Sequence, residues 1–225
     1  MTRHERQVEQ MTRLVRRCFQ RLRAAGEALQ DYAERRMRAG IAALPDGVYR
    51  FEDRFDNPEI DGDLAFAVEI TVKGETMSLH FESPPQVRAG LNMVYTALLS
   101  TVYYAVKTVV DPQIPPNSGL SRPLTVTAPE GTVLNCISPA AVNGRVATCQ
   151  RVVDLIHGAL AKAAPEKVVA ACNGSCASAT FVGSQPGDGA PWVYLETIGG
   201  GFGARHDKDG LDGVHVHMTN TSNLP

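Results

Sequence analysis

The chain has 225 residues, 44% of them hydrophobic and 20% charged, the balance of a globular protein rather than of a disordered tail. Its net charge of −2 gives no electrostatic support to a nucleic-acid or anionic-membrane role. No uncharged apolar run reaches the roughly 18 residues of a membrane span. The longest candidate, Leu91 to Val110, carries Asn92, Ser100 and Lys107 and reads as a buried helix. Five cysteines (Cys18, Cys136, Cys149, Cys172, Cys176) form an odd set without framework spacing, which points to a reducing compartment and to ordinary buried thiols. Arg3, Glu5, Arg6 and Glu9 precede no apolar secretory core, so the cytoplasm is the expected location.

The first forty residues hold ten arginines against five acids, leaving them at +5 and the rest of the chain at −7. Val8, Met11, Val15, Cys18, Leu22, Ala25, Leu29 and Tyr32 alternate spacings of three and four, the seam of an amphipathic helix. Pro45-Asp46-Gly47 ends that helix by Leu44, so residues 1–44 are expected as a helical segment and 45–225 as part of a larger domain. Strands follow at Val48 to Arg54, Phe66 to Val72 and Met77 to Glu82, with Lys73-Gly74-Glu75 as a hairpin connection. Leu91 to Val110 is a long helix closed by Asp111-Pro112. Short strands are expected at Leu124–Thr127 and Thr132–Leu134, then a second long helix from Val146 to Ala163. Strand-like runs at Val168–Ala171, Ala179–Val182 and Trp192–Ile198 lead into a glycine-rich tail. Strands and helices mix without regular alternation, so the expected class is α+β: mixed sheets, two long buried helices and an N-terminal amphipathic helix.

Polar chemistry concentrates in residues 196–223. Gly199, Gly201 and Ala204 formally fit a dinucleotide fingerprint, but Arg205-His206-Asp207-Lys208-Asp209-Gly210 cannot open the apolar-faced helix that would hold a pyrophosphate. The glycine run is better taken as a loop that packs tightly or approaches a ligand. If His215-Val216-His217 is extended, both imidazoles share one face. With Asp207, Asp209 or Asp212 they would then make a two-histidine-one-carboxylate metal site; the competing reading is one loop-capping histidine and one surface histidine. Glu196, at a strand end, is either a general base or a partner of Arg205.

Several ordered blocks resemble the hydantoinase B/oxoprolinase family. They begin with Arg38-Ala39-Gly40-Ile41-Ala42-Ala43-Leu44-Pro45-Asp46-Gly47-Val48-Tyr49 and continue through Ser83-Pro84-Pro85-Gln86-Val87-Arg88 and Pro115-Pro116-Asn117-Ser118-Gly119. Ala128-Pro129-Glu130-Gly131-Thr132 and Pro139-Ala140-Ala141-Val142 come next. The most specific blocks are Glu196-Thr197-Ile198-Gly199-Gly200-Gly201-Phe202-Gly203-Ala204-Arg205, Asp209-Gly210-Leu211-Asp212-Gly213-Val214-His215 and His217-Met218-Thr219-Asn220-Thr221.

The resemblance implies a subunit, or part of one, of an ATP-dependent cyclic-amide hydrolase that opens hydantoin- or 5-oxoproline-like rings. ATP would sit on a hydantoinase A-type partner subunit, and the B-type subunit would handle the activated intermediate. Two other expectations stand beside it: an acetone-carboxylase-like subunit acting on an activated ketone, and a non-catalytic assembly module. The family's B-type subunit is more than twice as long, so the resemblance also implies a partial chain. The His/Asp motifs that carry a divalent metal in the carboxylase branch belong to a part this sequence does not contain. Site residues expected from the matched blocks are Glu196, Asp212, His215 and His217 for catalysis. For substrate binding they are Asn117, Arg145, Gly199, Gly200, Gly201, Gly203 and Asn220.

Overall fold

The structure, a computed structural model, describes residues 2–58, 60 and 62–219. Alternating burial builds the central sheet. Strand β1 (Gly47–Phe55) turns Tyr49, Phe51, Asp53 and Phe55 inward. Strand β2 (Leu64–Lys73) buries Leu64, Phe66, Val68, Ile70 and Val72, and β3 (Thr76–Glu82) buries Met77, Leu79 and Phe81. These three pair antiparallel, and β4 (Leu124–Thr127) adds to β3 in parallel, giving the order β1-β2-β3-β4. Gly74 sits at the β2–β3 turn with φ +57, a conformation that favours glycine, and its N–H donates to Asp46 Oδ1 at 2.8 Å.

Two helices, α2 (Tyr95–Val110) and α3 (Arg145–Leu160), join this sheet in one apolar core. The N-terminal helix α1 (Arg3–Ala42) divides in two along its length. Val8, Met11, Val15, Leu22 and Leu29 are exposed, whereas Ala33, Met37 and Ile41, and Leu44 just beyond the helix, are buried in the core. Its docked end is held by Arg122, which pairs with Asp31 at 2.7 Å and Glu34 at 2.8 Å. It also rests on Gly119, where a Cβ would lie 1.9 Å from Gln30 O. Strands β5 (Ser178–Ser184) and β6 (Pro191–Thr197) form a separate antiparallel hairpin. The α+β class expected from the sequence is the observed one. Among the described residues, no helix is long and apolar enough to cross a membrane.

Three elements differ from expectation. The helix expected from Leu91 begins at Tyr95, because the buried Asn92 side chain accepts from Val87 N–H and donates to Val87 O, Ala89 O and Ala141 O, pinning a loop. Thr132–Leu134 makes only isolated bridges to Pro85 and Asn135. Val168–Ala171 joins no strand: Ala170 N–H donates to Ala204 O at 2.9 Å, and Gly203 N–H to Ala171 O at 3.1 Å. The segment after α3 therefore pairs with the glycine-rich tail, and that pairing assembles the site.

Candidate functional site

Helix α3 carries a buried polar stripe. Gln150, Asp154 and His157 stand at i, i+4 and i+7, one face of a helix, and are 0%, 6% and 5% exposed. The segment after the helix brings Cys172 onto Asp154. Its backbone N–H lies 3.3 Å from both carboxylate oxygens, and its thiol donates to Oδ2 at 3.4 Å. The tail then returns over the same stripe. Gln150 Nε2 donates to Val216 O at 3.2 Å, and Met218 N–H donates to Gln150 Oε1 at 3.3 Å. Between those two anchors His217 adopts φ +38 and places Nε2 at 2.8 Å from Asp154 Oδ1. The two side chains are 1% and 3% exposed. The His217 ring is fixed by Phe202, His157 and Tyr104, with centroids at 5.0, 5.4 and 6.1 Å.

Burial, with His217 close by, pulls the His157 imidazole down to about 4, so it is neutral at neutral pH. Its Nε2 lies 3.0 Å from Thr108 Oγ1, while Nδ1 is buried without a partner. Burial pushes the Cys172 thiol up to about 12, which makes it a hydrogen-bond donor to Asp154 rather than a free nucleophile. Asp154 and His157 reach the wall of an open cavity of about 480 Å³, shared with Phe51, Asp53 and Arg151 and closed on one side by the 168–171 backbone. Arg151 pairs with Asp53 at 2.8 Å, tying α3 to β1 beside the cavity. A carboxylate held by an imidazole and a thiol at a cavity wall can fix a water, accept its proton, or bind a cation.

Of the expected site residues, His217 lies in this cluster. His215 is half-buried, its Nε2 enclosed without a partner, and it does not join the cluster. The shared-face expectation for His215 and His217 fails because φ +38 at His217 takes the chain out of strand geometry. Among the described residues, the group close enough to share an ion is Asp154, Cys172 and His217. Asp207, Asp209 and Asp212 are exposed outside it. Glu196, next to last in β6, is half-buried and accepts from the Tyr194 hydroxyl, so Tyr194 rather than Arg205 is its partner.

The glycine run serves packing. Gly201 N–H donates to Val214 O and Gly203 N–H to Ala171 O, which takes both from a bound anion. A Cβ on Gly201, where φ is +98, would lie 2.5 Å from Leu211 O, and one on Gly200 would strike the Asn173 side chain. Gly199 is half-buried in the same run. Asn117 caps a 3-10 turn, its Oδ1 accepting from Gly119 N–H at 2.9 Å. Arg145 is exposed and donates to Val142 O at 3.1 Å. Asn220 lies outside the described residues. The expectation of ordinary buried thiols also needs correcting: Cys18 is exposed, and Cys172 belongs to the polar cluster. Asp154 was missed by the sequence reading. Its signal is the Gln150-Asp154-His157 stripe on a helix whose other buried residues, Thr148 aside, are apolar.

The fold and cluster define an α+β module that carries a buried carboxylate–imidazole pair beside an open cavity. The hydantoinase B/oxoprolinase family model matches residues 4–225, and the chain belongs to that family. A Pseudomonas sp. (strain NS671) protein, provisionally named as the B-type subunit of a D-/L-hydantoinase, is 34% identical over 220 residues, covering 91% of this chain and 36% of its own. The ATP-dependent caprolactamase structure from Pseudomonas jessenii superposes with a TM-score of 0.76 at 30% identity, over 89% of this chain and 35% of that one. The nucleotide-free acetone carboxylase structure matches with a TM-score of 0.65 at 16% identity, over 83% of this chain and 28% of that one, a likeness of fold alone. The chain thus spans about a third of the length of these relatives.

Proposed function

We propose that this chain provides the intermediate-handling part of an ATP-dependent cyclic-amide hydrolase and works with an A-type, ATP-binding subunit. The observation that carries the reading is the Asp154–His217 pair, 2.8 Å apart, behind a cavity of about 480 Å³ in a fold shared with an ATP-dependent caprolactamase. Among the described residues the glycine run offers no nucleotide cradle, because the Gly201, Phe202 and Gly203 N–H groups donate within the chain and no helix follows the run. ATP is therefore assigned to the partner, where its chemistry would be to activate a ring carbonyl that is otherwise a poor electrophile.

This chain's own part is to receive the ring and direct a water at it. Asp154 meets the cavity and accepts the water's proton. His217 and Cys172 hold the carboxylate in place. His157, neutral at neutral pH, adds no charge to that wall. A hydantoin, 5-oxoproline or similar lactam is the proposed substrate class. The carboxylase alternative shares only the fold, so hydrolysis is the reading adopted. The test combines the chain with an A-type subunit and the remainder of a B-type chain, and follows ring opening against ATP turnover. Ring opening that needs both this chain and ATP is expected. Ketone carboxylation instead, or partner binding without any turnover, would overturn the proposal in favour of a carboxylase or an assembly module.

A further inference from the structure

We infer that Asp154, Cys172 and His217 form a binding site for a borderline-soft transition-metal ion of the zinc or cobalt(II) type. The three side chains come from α3, the segment after it and the tail, and their ligand atoms all lie within 4.8 Å of one another. They are separated by 18 and 63 positions from Asp154, so the fold and not local sequence brings them together. One sulfur, one nitrogen and one carboxylate oxygen are a poor set for magnesium or calcium, which take oxygen donors. They match zinc and its neighbours.

The surroundings are those of a held donor set. Gly174 N–H donates to Cys172 Sγ at 3.2 Å, and Cys172 N–H reaches the Asp154 carboxylate at 3.3 Å. Three rings clamp the His217 imidazole, and its backbone is held at φ +38, a conformation rare outside glycine that persists only where the surroundings enforce it. Such outer contacts fix ligand orientation in known metal centres. Three protein donors leave a coordination position, and Asp154 opens on the cavity. Coordination replaces the thiol proton, which leaves to solvent, leaves the His217 proton on Nδ1 so that Nε2 is free to bind, and breaks both the thiol–carboxylate and the imidazole–carboxylate hydrogen bonds. The site shares Asp154 with the ring-opening reading, in which the metal-free carboxylate is the proton acceptor, and a titration without substrate or ATP reads ion binding separately from turnover.

The test titrates the EDTA-stripped full chain with cobalt(II) alone. One equivalent should bind with a thiolate-to-cobalt charge-transfer absorption. Cys172→Ser, nearly isosteric, should lose that absorption, whereas Cys176→Ser should keep it. Asp154→Asn and His217→Gln, checked for native circular dichroism, should weaken binding roughly tenfold or more. Absence of the absorption in the parent chain, or its survival in Cys172→Ser, would overturn the inference and leave a hydrogen-bonded triad in its place.

Discussion

The central sheet with α2 and α3 and the outlying β5–β6 hairpin are built from the same residue types, yet they use them differently. In the body, Phe66, Phe81 and Ile70 are at most 1% exposed. In the hairpin, Val182, Val193 and Leu195 are 72%, 69% and 59% exposed, and Phe181, Trp192 and Tyr194 also face outward. The first part of α1 resembles the hairpin, with Met11, Leu14, Phe19 and Leu22 all above 60% exposed. Periodicity therefore identifies an apolar face without saying what covers it. In the body the chain covers its own faces, and in these two outliers it does not.

Substitutions can break or sharpen that contrast. Phe66→Ala should destabilise the chain most, by about 3–5 kcal/mol, measured by urea unfolding, since it empties a position with no access to water. Next comes pH. His157 is held near 4 in the folded state, against 6.5 for an ordinary, solvated imidazole. As pH falls from 6.5 toward 4, the unfolded chain takes up a proton that the folded chain refuses. The metal-free protein should therefore lose up to about 3 kcal/mol across that window, and His157→Gln should lose less. Asn92→Ala should cost about 1–3 kcal/mol, because three carbonyls and an N–H lose their shared partner. Val193→Ala, in the exposed hairpin, should change stability by less than about 0.5 kcal/mol. A large loss there would mean that the hairpin is packed in solution.

Much of the body was legible in the sequence. Phe66, Val68, Ile70 and Val72 alternate as a half-buried strand must, and Val153, Ile156 and Leu160 repeat at helical spacing. The start of α2 was not legible, because one asparagine side chain replaces a turn of helix with a pinned loop. The site was half legible. His217 stood out in a polar tail, but its partner lies 63 positions earlier on a helix that periodicity marks as apolar. Cys172, read alone, carries no pattern; only the pairing of 168–173 with the glycine tail gives it a role. The glycine run left packing and ligand approach both open in the sequence, and the neighbours that it packs on, the 170–173 segment and Leu211, are a tertiary fact.

The most direct test of the account is turnover in the proposed ATP-dependent ring opening, measured with the assembled complex carrying Asp154→Asn. A carboxylate that takes the water's proton predicts a fall in kcat of about 100-fold or more, with folding and partner binding retained. A kcat within about twofold of the parent would place the chemistry elsewhere and contradict the Asp154–His217 assignment.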